Sequence, residues 1–157
     1  MLAICCHVKH PQARAAIKVA FYSGMRQAEI CRAKVVGDSF VLADTKNGLP
    51  RVVPIHRRIR HIVHAPDLWP ITLTTWSLSK MFKAGAIAAG LGHARFHDLR
   101  HSTASELVNA GVDLFTVGGV LGHKSQQSTA RYSHLSQDRL REAMTAIGGR
   151  KNAHTPK

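Results

Sequence analysis

Acidic side chains are scarce in this chain: 9 Asp and Glu stand against 22 Lys and Arg in 157 residues, which leaves a formal charge of +13. A field of that sign favours a polyanion as partner. Aromatics are also few, at 6%, so stacking platforms that read single-stranded bases are not expected, and a duplex gripped through its phosphates fits better. Cysteines number three, Cys5, Cys6 and Cys31; an odd count with two adjacent residues excludes a disulfide framework and points to reduced thiols. Cys5-Cys6-His7 with His10 lacks a second ligand pair at finger-like spacing, so no metal and no other cofactor is expected. No apolar run approaches membrane-spanning length, and the opening Met-Leu-Ala-Ile-Cys-Cys-His lacks the charged region and long apolar stretch of a secretory signal. These absences exclude a membrane partner and place the protein in the cytoplasm, at the nucleoid. Internal repeats and low-complexity blocks are missing too.

What remains is an ordinary globular composition, 45% hydrophobic and 20% charged, long enough for one domain with a core of its own. Ala13, Ile17, Ala20 and Phe21 recur at helical spacing up to a terminating Gly24. A second short helix is predicted over Gln27 to Ala33, with Arg26 and Glu29 one turn apart on one face. From Lys34 to Ile55, β-branched runs alternate with the turn pairs Gly37-Asp38 and Asn47-Gly48, which predicts a small antiparallel sheet with Lys46 at a hairpin tip. His56 to Val63 reads as a short basic helix between prolines. Helical period returns from Thr75 to Ala89 before Gly90 or Gly92, again from Leu99 to Val108 before Gly111, and from a cap at Asp113 to Leu121 before Gly122. Val117-Gly-Gly-Val120 is glycine-rich for a helix, which loosens it by roughly 1 kcal/mol per glycine. A last amphipathic helix is expected after Ser136, with Leu140, Ala143, Met144 and Ile147 on one stripe. The whole reads as α+β, mostly α-helical with a small three-stranded antiparallel sheet. The expected division is one domain over 1–148 and a disordered polar tail over 149–157.

The residues that carry chemistry cluster late in the chain. His97-Asp98-Leu99-Arg100-His101, Leu121-Gly122-His123 and Ala130-Arg131-Tyr132 gather imidazoles, a guanidinium and a phenol that can hold a phosphodiester, move its protons and attack its phosphorus. Strand breakage also requires a clamp on the two non-bridging oxygens and a proton for the leaving oxygen. Arg26 and Arg100 can form the clamp, because guanidinium is permanently charged and forks onto two oxygens. Taken alone, Arg26 reads first as a solvated surface residue, whereas Arg100 has His97 one helical turn away. Lys46 can serve as general acid, or be a solvated cation on a hairpin tip. His97 and His123 suit proton transfer near neutrality, each with the alternative of a hydrogen-bonded structural histidine. Tyr132, on a short helix, has an ordinary pKa near 10 and needs a base such as His97, or the cationic pocket itself, to become a nucleophile. Glu29 is a carboxylate that can orient Arg26 or Lys46.

The strings Tyr22-Ser-Gly-Met-Arg-Gln-Ala-Glu-Ile30, Thr45-Lys46-Asn-Gly, Val53-Pro54-Ile55, Phe96-His-Asp-Leu-Arg-His101, Leu121-Gly-His123 and Thr129-Ala-Arg-Tyr-Ser-His134 closely resemble the catalytic domain of the tyrosine recombinases, the phage-integrase family, over roughly residues 12 to 147. The resemblance implies that Arg26 and Arg100 are the paired phosphate arginines and that Lys46 protonates the leaving 5′ oxygen. It implies His97 as the acid/base histidine, His123 in the His-or-Trp position, Tyr132 as the nucleophile of a 3′-phosphotyrosyl link, and Glu29 as the supporting acid. It implies double-stranded DNA as substrate, strand exchange with neither ATP nor metal, a tetramer on synapsed DNA formed through the C-terminal helix, and an accessory DNA-bending protein as a further partner. The helical core-binding domain that precedes such catalytic domains does not fit before residue 12. Two rival readings remain at this point: a catalytically silent DNA-binding remnant of an integrase, and a nicking-closing enzyme of the type IB topoisomerase kind.

Overall fold

The computed structural model describes residues 2–43, 50–123, 127–130 and 132. Eight α-helices and three strands are found there: α1 (Leu2–His7), α2 (Pro11–Ser23), α3 (Gln27–Ile30), β1 (Lys34–Val36), β2 (Ser39–Leu42), β3 (Arg51–Pro54), α4 (Arg60–Val63), α5 (Thr75–Ala88), α6 (Asp98–Asn109), α7 (Leu114–Leu121) and α8 (Gln127–Ala130). The mostly helical α+β architecture is the one the sequence pattern predicts. Lys46, the helix expected after Ser136 and the 149–157 tail lie outside the described residues.

The sheet runs β1-β2-β3, antiparallel throughout. Val35 pairs with Phe40 and Phe40 with Val53, and Phe40 and Val53 are buried while Val36 and Val52 face out, the period-2 alternation of a sheet covered on one side. The predicted basic helix begins as a 3-10 turn at Arg57–Ile59 that runs into α4; the His56 ring accepts the Arg58 N–H at its start. Thr74 and Asp113 cap α5 and α7 by accepting the N–H groups of Ser77 and Thr116, which satisfies donors that a helix start leaves orphaned.

Two differences from the sequence pattern appear here. The helix predicted over Gln27 to Ala33 ends at Ile30. The N–H groups of Arg32 and Ala33 both converge on the Glu29 carbonyl, closing the turn so that the chain can enter β1 at Lys34. Before residue 13 the periodicity gives no helix, yet α1 forms and packs on α5, so closely that a Cβ on Gly85 would stand 2.5 Å from Val8 Cγ2. Burial against a partner sustains a helix far too short to persist alone. On α1, Cys5 is buried and Cys6 exposed, so the two thiols face opposite ways.

Buried residues form two clusters. The larger gathers α1, α2, the sheet and α5, around Ile17, Phe40, Ile59 and Phe82. The smaller consists of Ala104, Val108, Val117, Leu121 and Tyr132, from α6, α7 and the turn after α8. They meet where the end of α2 touches α6 and α7: Thr103 Oγ1 donates to the Phe21 carbonyl at 2.6 Å, and Gly24 lies against Leu121. At Gly24 the backbone turns left-handed with φ 64, and a Cβ would stand 2.7 Å from Leu121 Cδ2, so only glycine ends α2 here without strain or collision. The described candidate side chains lie on this seam. Among the described residues, no helix is long and apolar enough to cross a membrane.

Candidate functional site

Arg26 follows the Gly24 turn and precedes α3. Its backbone N–H donates to Glu29 Oε2 at 2.8 Å while its guanidinium Nη1 reaches Glu29 Oε1, also at 2.8 Å. A carboxylate three residues into the helix therefore satisfies an orphan donor and aims the arginine at once. The predicted pairing of Arg26 and Glu29 on one face is thus present, and Nη2 of Arg26 extends across the seam to the Gly122 carbonyl at 3.4 Å.

Glu29 is buried and carries a second guanidinium that sequence reasoning missed: Arg51 Nη2 donates to Glu29 Oε2 at 2.7 Å, and Arg51 Nη1 donates to the Val120 carbonyl. Burial opposes the Glu29 charge, yet the Arg26 N–H and the Arg51 and Arg26 guanidiniums outweigh it and hold the carboxyl below the usual carboxylate range. Burial likewise pushes the Arg51 pKa down, with Glu29 pulling it back. At Gly122, where φ is 66, a Cβ would meet Arg51 atoms at 2.9 to 3.1 Å. The turn that ends α7 and presents His123 is therefore packed directly on this arginine. The sole sequence-level signal for Arg51 was its place two residues before Val53-Pro54.

Arg100 projects from α6 into the seam, 4% exposed. Nη1 donates to the Gly24 carbonyl at 2.7 Å, whereas Nη2 is buried without a hydrogen-bond partner among the described residues. Burial foremost, then the charges of Arg26 and Arg51, bring its pKa down to about 10. It stays charged at neutrality, a desolvated cation with a free donor beside two further arginines and one carboxylate. Such an arrangement is incomplete without an anion.

His97 stands at the N-cap position of α6, with no capping hydrogen bond from its side chain, and is exposed. Burial of part of its ring and the neighbouring His101, Arg100 and Arg26 charges lower its pKa, against Asp98, so it is mainly neutral at pH 7. His123 follows the Gly122 turn, with its Nδ1 2.8 Å from Thr129 Oγ1 of α8. Tyr132 was expected on a short helix; it sits instead in the turn after α8, its N–H donating to the Thr129 carbonyl at 3.0 Å, and its side chain is only 6% exposed. Its hydroxyl meets an imidazole, and among the described residues that imidazole is His101, with Nδ1 2.6 Å from Oη, rather than His97. His101 had a signal in the sequence, since it closes the His97-to-His101 string, but nothing there linked it to a residue 31 positions away.

Arg26, Glu29, Arg100, His97, His123 and Tyr132 are thus all found around the α2–α6–α7 seam, with Arg51 and His101 added. Chemically the seam offers the Arg26 and Arg100 guanidiniums for an anion, with Arg51 committed to Glu29 and the Val120 carbonyl, two accessible imidazoles and a phenol held by a third.

A family model described as the phage integrase family matches residues 72–139. Tyrosine recombinase XerC of Corynebacterium glutamicum is 28% identical over 149 residues, 82% of this chain and 48% of that protein, so this chain spans about half the length of that relative. XerC of Erythrobacter litoralis is 31% identical over 144 residues, 80% of this chain and 47% of that protein. Among solved structures, the catalytic domain of bacteriophage HP1 integrase superposes with a TM-score of 0.73 at 20% identity, covering 99% of this chain and 92% of that one. The XerH site-specific recombinase bound to its difH substrate in a pre-cleavage complex superposes with a TM-score of 0.64 at 25% identity, covering 90% of this chain and 48% of that one.

Proposed function

This chain belongs to the tyrosine recombinase, or phage integrase, family, and we propose that it is the catalytic portion of a site-specific recombinase that cleaves and rejoins duplex DNA through a 3′-phosphotyrosyl intermediate. The observation that carries this reading is the buried, half-satisfied Arg100 on the same seam as a phenol already hydrogen-bonded to a base. A cation desolvated to that degree needs an anion, and a phosphodiester is one that the neighbouring phenol can attack.

In this mechanism Arg26 and Arg100 fork onto the non-bridging oxygens of the scissile phosphate. The charge that builds there in the transition state is stabilised by donors worth about 3 kcal/mol each. Glu29 keeps Arg26 extended and Arg51 in register with the His123 turn. The Tyr132 oxygen attacks phosphorus as the P–O5′ bond breaks, and one phosphodiester replaces another, so the bond energy is retained for religation without ATP. Lys46, on the segment between β2 and β3, protonates the departing 5′ oxygen. His97 and His123 donate to the phosphate, which the depressed basicity of His97 suits, because a neutral imidazole N–H donates without adding a fourth positive charge. Most of the remaining basic side chains meet backbone phosphates and supply affinity without sequence information. A tetramer on synapsed DNA, assembled through the segment around Leu140 to Ile147, and work at the bacterial nucleoid complete the proposal.

Incubation with supercoiled plasmid in EDTA, quenched with detergent, tests it without knowledge of the target site. A covalent protein–DNA adduct is expected, and it should vanish in Tyr132→Phe. Plasmid binding with no adduct would reject the recombinase reading for a DNA-binding module, and relaxation without recombination between defined sites would favour a nicking-closing enzyme.

A further inference from the structure

α6 carries two imidazoles one turn apart, His97 and His101, whose ring centroids are 4.9 Å apart at an interplanar angle of 84°. They face different surroundings. His97 is exposed at the helix start, where a substrate phosphate reaches it, whereas His101 is half-buried and points at Tyr132. We propose that His101 is a further catalytic residue, the base that takes the proton of the Tyr132 hydroxyl as its oxygen attacks phosphorus; this rests on the reading of Tyr132 as nucleophile.

Three observations support the assignment. The Nδ1 to Oη separation of 2.6 Å is at the close end of the range over which a general base acts. Tyr132 is only 6% exposed, so bulk water and hydroxide have poor access to its proton and a protein group must accept it. Arg100, whose charge is coupled to Tyr132 across the same seam, favours negative charge on the phenol oxygen as the proton departs. At rest the transfer is uphill, since a phenol is a far weaker acid than an imidazolium. It becomes favourable only as the oxygen bonds to phosphorus, which confines base catalysis to the transition state.

The step balances. The step requires the His101 tautomer with its hydrogen on Nε2, in which Nδ1 accepts from the Tyr132 hydroxyl. In cleavage the Oη–P bond forms, the P–O5′ bond breaks with its electron pair on O5′, the phenol proton moves to His101 Nδ1, and Lys46 supplies the proton that O5′ needs. In religation each proton returns, the imidazolium giving its own back to the phenol.

Two measurements test this. His101→Asn places an amide where Nδ1 stood, able to hold the hydrogen bond but not to take a proton. Adduct formation on supercoiled plasmid should slow by about 100-fold or more, with plasmid affinity unchanged. An adduct rate equal to that of the parent protein in His101→Asn overturns the role of His101 alone, whereas no adduct from the parent protein overturns the nucleophile reading and this inference with it. Nitrogen NMR of the free protein needs no substitution of His101: its Nδ1 should resonate as a hydrogen-bond acceptor and shift in Tyr132→Phe. A resonance indifferent to that change overturns the proposal.

Discussion

The Arg51 guanidinium lies 2.7 Å from the carboxylate of Glu29, which also holds Arg26 at 2.8 Å. One buried acid thereby fastens the start of β3 to α3, and through the Val120 carbonyl to the end of α7.

Glu29→Ala should destabilise the protein by about 3 kcal/mol in urea unfolding, because it strands two partly buried guanidiniums with no carboxylate. The same acid gives a pH signature. Its pKa is lower folded than unfolded, so the unfolded chain binds more protons in acid. The stability it supplies is complete above the ordinary value of 4.5 and is lost as the pH falls below it. Glu29→Gln should therefore flatten the acid limb of the stability curve; an unchanged limb would show that other carboxylates set it.

Arg100→Met should abolish adduct formation while raising stability by about 1 kcal/mol, since a buried cation with an unpartnered donor gives way to an apolar chain of similar length. Sulfate, an anion of phosphate shape, should raise the melting temperature of the parent protein through binding to the native state, and raise that of Arg100→Met less. A variant that melts lower than the parent in the absence of anion would contradict the accounting.

Two adjacent glycines of α7 should respond differently. A Cβ on Gly119 meets nothing within 4 Å, so Gly119→Ala should stabilise by about 0.5–1 kcal/mol through helix propensity. At Gly118 a Cβ would stand 3.0 Å from Thr129 Oγ1, the atom that holds His123. Gly118→Ala should accordingly slow adduct formation in the same assay where Gly119→Ala does not.

With a charge of +13, plasmid affinity should fall steeply with salt. For a footprint of about 6–10 phosphate contacts, the loss between 50 and 200 mM is roughly 10³- to 10⁵-fold. A shallow log–log slope would point to a footprint of far fewer phosphates.

What the sequence determined by itself is whatever depends on neighbours close along the chain. Helical period, the terminating Gly24, Gly111 and Gly122 with their positive φ, the Asp113 cap, the β-alternation and the Arg26–Glu29 pair all act over a few residues, so composition and spacing suffice. The motif strings likewise named the candidate residues Arg26, Glu29, His97, Arg100, His123 and Tyr132, because they are short and local. Only the tertiary structure decided which of them meet. Glu29 and Arg51 are 22 residues apart and His101 and Tyr132 are 31 apart; the first pair exists because β3 returns to α3 and the second because the turn after α8 closes on α6, and no periodicity encodes those distances. α1 forms for the same reason, on the surface of α5. Burial too is a property of the closed seam, and it is burial that leaves Arg100 Nη2 without a partner among the described residues and sets the Tyr132 hydroxyl against the His101 ring.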